Sequence, residues 1–142
     1  FENDTTGRAM IGSGYTYSGH PVGAAAAVAC MTETLRLKTP ENAAARGIQL
    51  FEGLEKLKLK HEIVGDVRGG HGLMCALELV SDRNSKKPAN KDVTTKVYDT
   101  TYANGAMIRI SGPNIILSPP LVVQAEDISQ ILSCLDHGLS AA

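Results

Sequence analysis

Gly12-Ser13-Gly14-Tyr15-Thr16-Tyr17-Ser18-Gly19-His20-Pro21-Val22-Gly23-Ala24-Ala25-Ala26-Ala27 is a loop of glycines and hydroxyls that runs directly into an alanine-dense segment. Pro21 suits a first helical turn, where its missing N–H costs nothing, and Gly23 is the one weak helix former that follows. A helix is therefore predicted over 21–37. It must stop before Pro40, because the residue preceding a proline is pushed out of the helical region. The small side chains of its first turns allow a neighbouring element to approach the backbone closely. Free N–H groups at such a helix start can bind an anion. The plainer alternative is a capped, tightly packed helix whose hydroxyls satisfy local backbone groups. The stretch is not a dinucleotide fingerprint, since Tyr17 stands where the third glycine belongs, and no P-loop Gly-Lys-Ser/Thr follows.

Upstream, residues 1–14 carry Asn3, Asp4, Thr5, Thr6 and Gly7 with little periodicity and read as an extended connection without a core of its own. Downstream, Thr39-Pro40-Glu41 resembles a cap and first turn, and a second helix over 41–60 places Leu50, Leu54 and Leu57 on one stripe with Phe51 beside them. Lys56, Lys58 and Lys60 read as its solvated side. Residues 63–68 and 73–80 read as two strands joined by Gly69-Gly70-His71-Gly72. After a polar loop at 86–90, a third helix is predicted over 91–104, stopped by Asn104-Gly105. Met107-Ile108-Arg109-Ile110 and Ile115-Ile116-Leu117 flank Ser111-Gly112-Pro113-Asn114 in a hairpin pattern, closed by Pro119-Pro120. A last helix over 126–139 aligns Ile128, Ile131, Leu132, Leu135 and Leu139, with Glu126 and Asp127 in its first turn. Hairpins and helices without regular βαβ alternation make an α+β class, a small sheet with helices packed on one face.

The 142 residues suffice for one domain with a core of its own, and 43% apolar residues with a net charge of -1 describe an ordinary soluble chain. No basic run exceeds Lys86-Lys87, which argues against nucleic acid. No apolar run is long enough for a membrane, and the start lacks a signal peptide's pattern. Cys30, Cys75 and Cys134 are odd in number and scattered, which argues against a disulfide framework or zinc site and for buried thiols in the cytoplasm. His20, His61, His71 and His137 form no helical metal pair and read as caps or surface groups.

Arg109 interrupts an apolar strand. A buried guanidinium needs an anion or a route to water, so it pairs internally with an acid such as Glu78, snorkels at a sheet edge, or awaits a ligand.

Two motifs carry a resemblance. Residues 15–22 with the alanine run resemble the stretch that class III aminotransferases place before the long helix leading to their C-terminal domain. The resemblance implies pyridoxal 5'-phosphate as cofactor, a homodimer or higher oligomer in which Thr16 reaches the cofactor phosphate of the partner subunit, and Tyr15 on the pocket wall. Residues 107–112 with 115–121 resemble the C-terminal segment of amine:pyruvate (omega) transaminases. This implies that Arg109 grips a substrate carboxylate and swings away for an amine that lacks one, uses that suit its planar fork and long stem. Val64-Gly65-Asp66-Val67-Arg68-Gly69 resembles a scaffold segment of the same family, which assigns Asp66 and Arg68 to structure.

The element order is similar to the C-terminal small domain of fold-type I pyridoxal phosphate enzymes. On that basis 1–20 is a connection from a large domain, including the cofactor-phosphate loop, and 21–142 is the linking helix and small domain. In the family the cofactor-bearing lysine lies upstream, and none of the eight lysines here has its setting. A chain that starts at Phe1 is thus expected to be the C-terminal portion of an enzyme that moves an amino group from an amine or amino acid to a keto acid such as pyruvate, inactive alone. The alternatives are a non-enzymatic interaction module of the same fold, or a class III branch for ornithine-like or 4-aminobutyrate-like substrates.

Overall fold

The computed structural model describes residues 3, 5, 6 and 14–142. The extended reading of 1–14 falls largely outside that set. The chain divides into two compact units, Phe1–Arg36 and Leu37–Ala142.

In the first unit, helix α1 spans Pro21–Arg36, with Pro21 as its first residue as expected. Gly19 takes a left-handed φ of 73°, which turns the chain into the helix, and the Ala24 amide donates to the His20 carbonyl at 2.9 Å. No α1 residue is buried. Val28, Met31 and Leu35 share one exposed stripe, and Cys30 is exposed as well, so the expectation of three buried thiols fails there. The helix ends one residue earlier than predicted, because Lys38 is left-handed at φ 50° and breaks the spiral before Pro40 can.

That same break starts helix α2 (Thr39–Lys60) two residues ahead of the expected position. Thr39 is the first helical residue and not a cap; its hydroxyl is buried and makes no hydrogen bond to the described residues. The predicted stripe is buried: Leu50, Leu54 and Leu57 face the core, extended by Ala43 and Gly47.

Strands β1 (Val64–Arg68), β2 (Cys75–Asp82), β3 (Lys87–Pro88), β4 (Arg109–Ser111) and β5 (Asn114–Leu117) form an antiparallel sheet in the order β1-β2-β5-β4, with β3 on β2. The two-residue β3 lies in what reads as a polar loop; neither Lys87 nor Pro88 carries a strand signal of its own. Helix α3 (Lys91–Ala103) is capped by Asn90, whose side chain accepts from the Val93 amide at 2.9 Å. Helix α4 (Ala125–Ala141) opens with a capping box in which Asp127 accepts from the Gln124 amide at 2.9 Å.

Register assigns each strand residue to a face. Val67, Leu77, Ile115 and Ile110 lie across the strands in one inward row, with Cys75 and Leu117 in the next. These pack with Leu50, Leu54, Val97, Ile128, Leu135 and Leu139 of the helices to form the core. The opposite face carries Arg68, Ala76, Ile116 and Arg109 in one row, and Asp66, Glu78, Asn114 and Ser111 in the next.

Two polar devices fix α2. The Arg83 guanidinium donates to the carbonyls of Lys58 and His61 at the helix end, and its Nε to the Val64 carbonyl at 2.9 Å, which satisfies acceptors the helix leaves open. His61 is not a surface group: its side chain is 9% exposed and its Nε2 meets Asp136 of α4 at 2.6 Å. Lys60 joins the same carboxylate at 2.6 Å, and Lys58 approaches Asp66 at 3.4 Å; Lys56 and Lys60 are exposed as expected of a solvated side, and Lys58 is half-buried. The Lys60 hydrogen bond leads the effects that hold the Asp136 carboxyl below its ordinary range, with His61 adding to it against partial burial. A depressed carboxyl stabilises the fold above its unfolded pKa, and that stability is lost as pH falls through the folded value. Asp136→Asn is therefore expected to cost about 1–2 kcal/mol near neutrality and to flatten the acid limb of the stability curve. Urea denaturation of the complete polypeptide between pH 3 and 7 measures it; an unchanged acid limb contradicts the assignment.

Candidate functional site

In the first unit, residues 15–18 form a turn in which the Ser18 amide donates to the Tyr15 carbonyl at 3.2 Å and the His20 amide to the Tyr17 carbonyl at 3.1 Å. Tyr17 and His20 meet edge to face at 6.0 Å. The turn leaves the Thr16 hydroxyl and the amides of Thr16 and Tyr17 without acceptors among the described residues, and Tyr15 stands exposed beside them. This donor set, just ahead of the α1 N-terminus, suits an oxyanion.

In the second unit, β4 is an edge strand, and Arg109 lies on the sheet face away from the helices, opposite Ile116 of β5. The anticipated internal pair with Glu78 is absent. Glu78 accepts instead from Arg68 Nη1 at 2.8 Å, and Arg109 has no hydrogen bond or ion pair with the described residues. It borders a cavity of about 600 Å³ walled by Met107, Ile116, Pro119 and Pro120, with Tyr98 and Ser118 adding hydroxyls to the lining. Asn42 of α2 holds the segment after β5 by donating to the carbonyls of Leu121 and Val123 at 2.8 and 2.9 Å, and Gln49 donates to Ala125 at 3.0 Å. An apolar wall around one unpaired guanidinium can orient an anion attached to an apolar body.

Asp66 and Arg68 are tied into the sheet. Arg68 Nη2 donates to Asn114 Oδ1 at 2.5 Å, and Asn114 Nδ2 donates to the Ser111 carbonyl at 3.1 Å. Burial works to raise the Asp66 pKa, but the Val67 amide, Lys58 and Arg68 together hold it below the usual value. Glu78 and Asn114 have no motif of their own. Their part in this network was legible only through register, since a glycine-turn hairpin sets Arg68 diagonal to Glu78.

The family model for class-III aminotransferases matches residues 3–139. The chain belongs to that family. It is 38% identical over 128 residues to alanine–glyoxylate aminotransferase 2 homolog 2, mitochondrial, of Arabidopsis thaliana, covering 88% of this chain and 26% of that protein. It is 32% identical to ethanolamine-phosphate phospho-lyase homolog 1 of Caenorhabditis elegans, over 92% of this chain and 28% of that one. Among solved structures, an amine transaminase from an uncultivated Pseudomonas species in its PLP-bound form superimposes with a TM-score of 0.85 and 39% identity, over 92% of this chain and 30% of that chain. The class-III chain described here thus spans under a third of the length of these relatives. Among its described residues no helix is long and apolar enough to cross a membrane, and no three His, Cys, Asp or Glu side chains group to hold a metal.

Proposed function

We propose that this class-III chain is the C-terminal portion of a pyridoxal-phosphate-dependent aminotransferase that moves an amino group from an amine or amino acid to a keto acid such as pyruvate. The observation that carries the reading is the unpaired Arg109 guanidinium beside an apolar cavity, which suits a small keto acid. The likeness to an amine transaminase supports it.

The residues present fit the cofactor. The free Thr16 hydroxyl and the neighbouring amides suit its phosphate, and Tyr15 suits the wall beside it. When bound, pyridoxal phosphate supplies the electron sink for remaking bonds at the amino-bearing carbon. This chain's part is binding. Arg109 takes the carboxylate through two parallel N–H donors, and Met107, Pro119 and Pro120 supply the apolar wall against which the rest of the substrate lies. The lysine that bears the cofactor belongs to the preceding large domain, reached through residues 1–20, so the segment alone is inactive. The exposed Val28-Met31-Leu35 stripe of α1 suits coverage by the rest of a dimer in which Thr16 serves the partner's cofactor, assembled in the cytoplasm.

The test uses the complete polypeptide, purified with pyridoxal phosphate and given a primary amine and pyruvate. Alanine formed mole for mole with consumed amine is expected. Amine consumption without an acceptor, or no conversion with any keto acid, overturns the reading. Thr16→Val in the same protein is expected to weaken cofactor retention about tenfold by removing one donor to a charged phosphate. Equilibrium dialysis against graded cofactor reads this, and unchanged retention removes Thr16 from the site.

A further inference from the structure

The outer sheet face carries two guanidinium groups of opposite condition. Arg68 spreads its fork over Glu78 at 2.8 Å and Asn114 at 2.5 Å, while Arg109 has no partner among the described residues. The only carboxylates in the outward rows are Asp66 and Glu78. Lys58 and Arg68 both approach Asp66, at 3.4 Å each. Glu78 lies two strands across and one row along from Arg109, a backbone separation of roughly 12 Å at ordinary strand spacing, which extended Arg and Glu side chains span together. Of these two carboxylates Glu78 is the nearer to Arg109, since Asp66 lies one strand further away. The sheet's connectivity also runs the other way: Arg68 holds Asn114, and Asn114 holds the carbonyl of Ser111, two residues from Arg109 on β4.

We propose that Arg68 is a positioning residue for anion recognition: by engaging Glu78 and Asn114 it keeps the nearer outward carboxylate off Arg109, so that Arg109 stays open to a substrate carboxylate. The inference rests on the proposed role of Arg109. Arg68 touches no substrate. Its effect is electrostatic occupancy of Glu78, since a guanidinium already bound to a protein acid must give up that partner before it can take another.

Initial rates of the complete enzyme, varying pyruvate and a primary monoamine in turn, test it. Arg68→Gln is expected to raise the KM for pyruvate about five- to tenfold while the amine KM stays within about twofold, because the released carboxylate competes only for the anion site. Adding Glu78→Gln to Arg68→Gln is expected to restore the pyruvate KM, as is Arg68→Lys, which keeps the charge beside Glu78. An unchanged pyruvate KM in Arg68→Gln, equal losses for both substrates, or a double variant as impaired as the single one overturns the proposal. Each of the last two would mean that Arg68 merely holds the sheet together. Should Arg68→Gln not fold, Arg68→Lys decides: a pyruvate KM raised at constant amine KM overturns charge occupancy, and a parental value supports it. Arg109→Ala in the same assays separates the two levels. If it raises the pyruvate KM and Arg68→Gln does not, only the role of Arg68 fails; if it raises neither KM, the carboxylate reading of Arg109 fails first.

Discussion

Arg109→Ala in the complete enzyme is expected to raise the KM for pyruvate by about 30- to 100-fold and to leave that for a monoamine within about twofold, the loss anticipated for two charge-assisted hydrogen bonds to a carboxylate. The selectivity follows from placement. Arg109 sits on the outer face of an edge strand, outside the packed core, and pairs with no acid among the described residues, so truncation leaves neither a cavity in the core nor an orphaned partner. Stability should therefore change little, and the kinetic effect should report on binding alone. Initial-rate measurements with each substrate varied at saturating levels of the other decide the matter. Equal losses for both would mean that the arginine shapes the site without recognising the anion.

The second large effect concerns folding. Gly47, buried in the middle of α2, faces the turn that joins β1 to β2: a Cβ there would lie well inside contact distance of the Gly72 carbonyl and 2.8 Å from its Cα. The obstruction is backbone and cannot rotate aside. Nor can the turn retreat easily, because Gly69, Gly70 and Gly72 all hold left-handed φ values and the Phe51 ring packs against Gly70. Gly47→Ala should add helix propensity, yet the overlap forces α2 from the hairpin, for a net loss of about 2–4 kcal/mol. Urea denaturation of the complete polypeptide, with hydrogen exchange read at β1 and β2, measures this. A stability equal to the parent's would show that the turn yields.

These two residues mark the boundary of what the sequence discloses. Arg109 stood out because a charge within an apolar strand breaks the local pattern, and motif likeness supplied a role that isolated chemistry left open. Gly47 carried no such signal; the close approach is made by residues 25 positions downstream, and only the fold brings them together. The stripes of α2 and α4 were readable because burial repeats with the helical period, as Leu50, Leu54 and Leu57, then Ile128, Leu135 and Leu139, attest. The contact of His61 with Asp136 was not, since 75 residues separate them and each alone resembles a surface group. The start of α2 was missed for a different reason: a left-handed Lys38 is set by the surrounding chain and has no compositional mark. For Arg109 the strand order was the missing step, for it sets Glu78 on the strand beside Arg68 and two strands from Arg109, which is left unclaimed.

The division of the sheet into an inward Val67-Leu77-Ile115-Ile110 row and an outward Arg68-Ala76-Ile116-Arg109 row has an evolutionary consequence. Adjacent positions answer to different selective pressures, so Arg109, Ser111, Asn114 and Ile116 can be diversified together while their neighbours stay fixed. Changes of length are another matter. One inserted residue within β5 would exchange the two rows, carrying polar Asn114 toward the helices and Ile115 toward solvent. Lineages built on this scaffold should therefore record gaps in the turns, around Gly112-Pro113 and Asn84–Lys86, and keep the strands at constant length even where their outward letters differ.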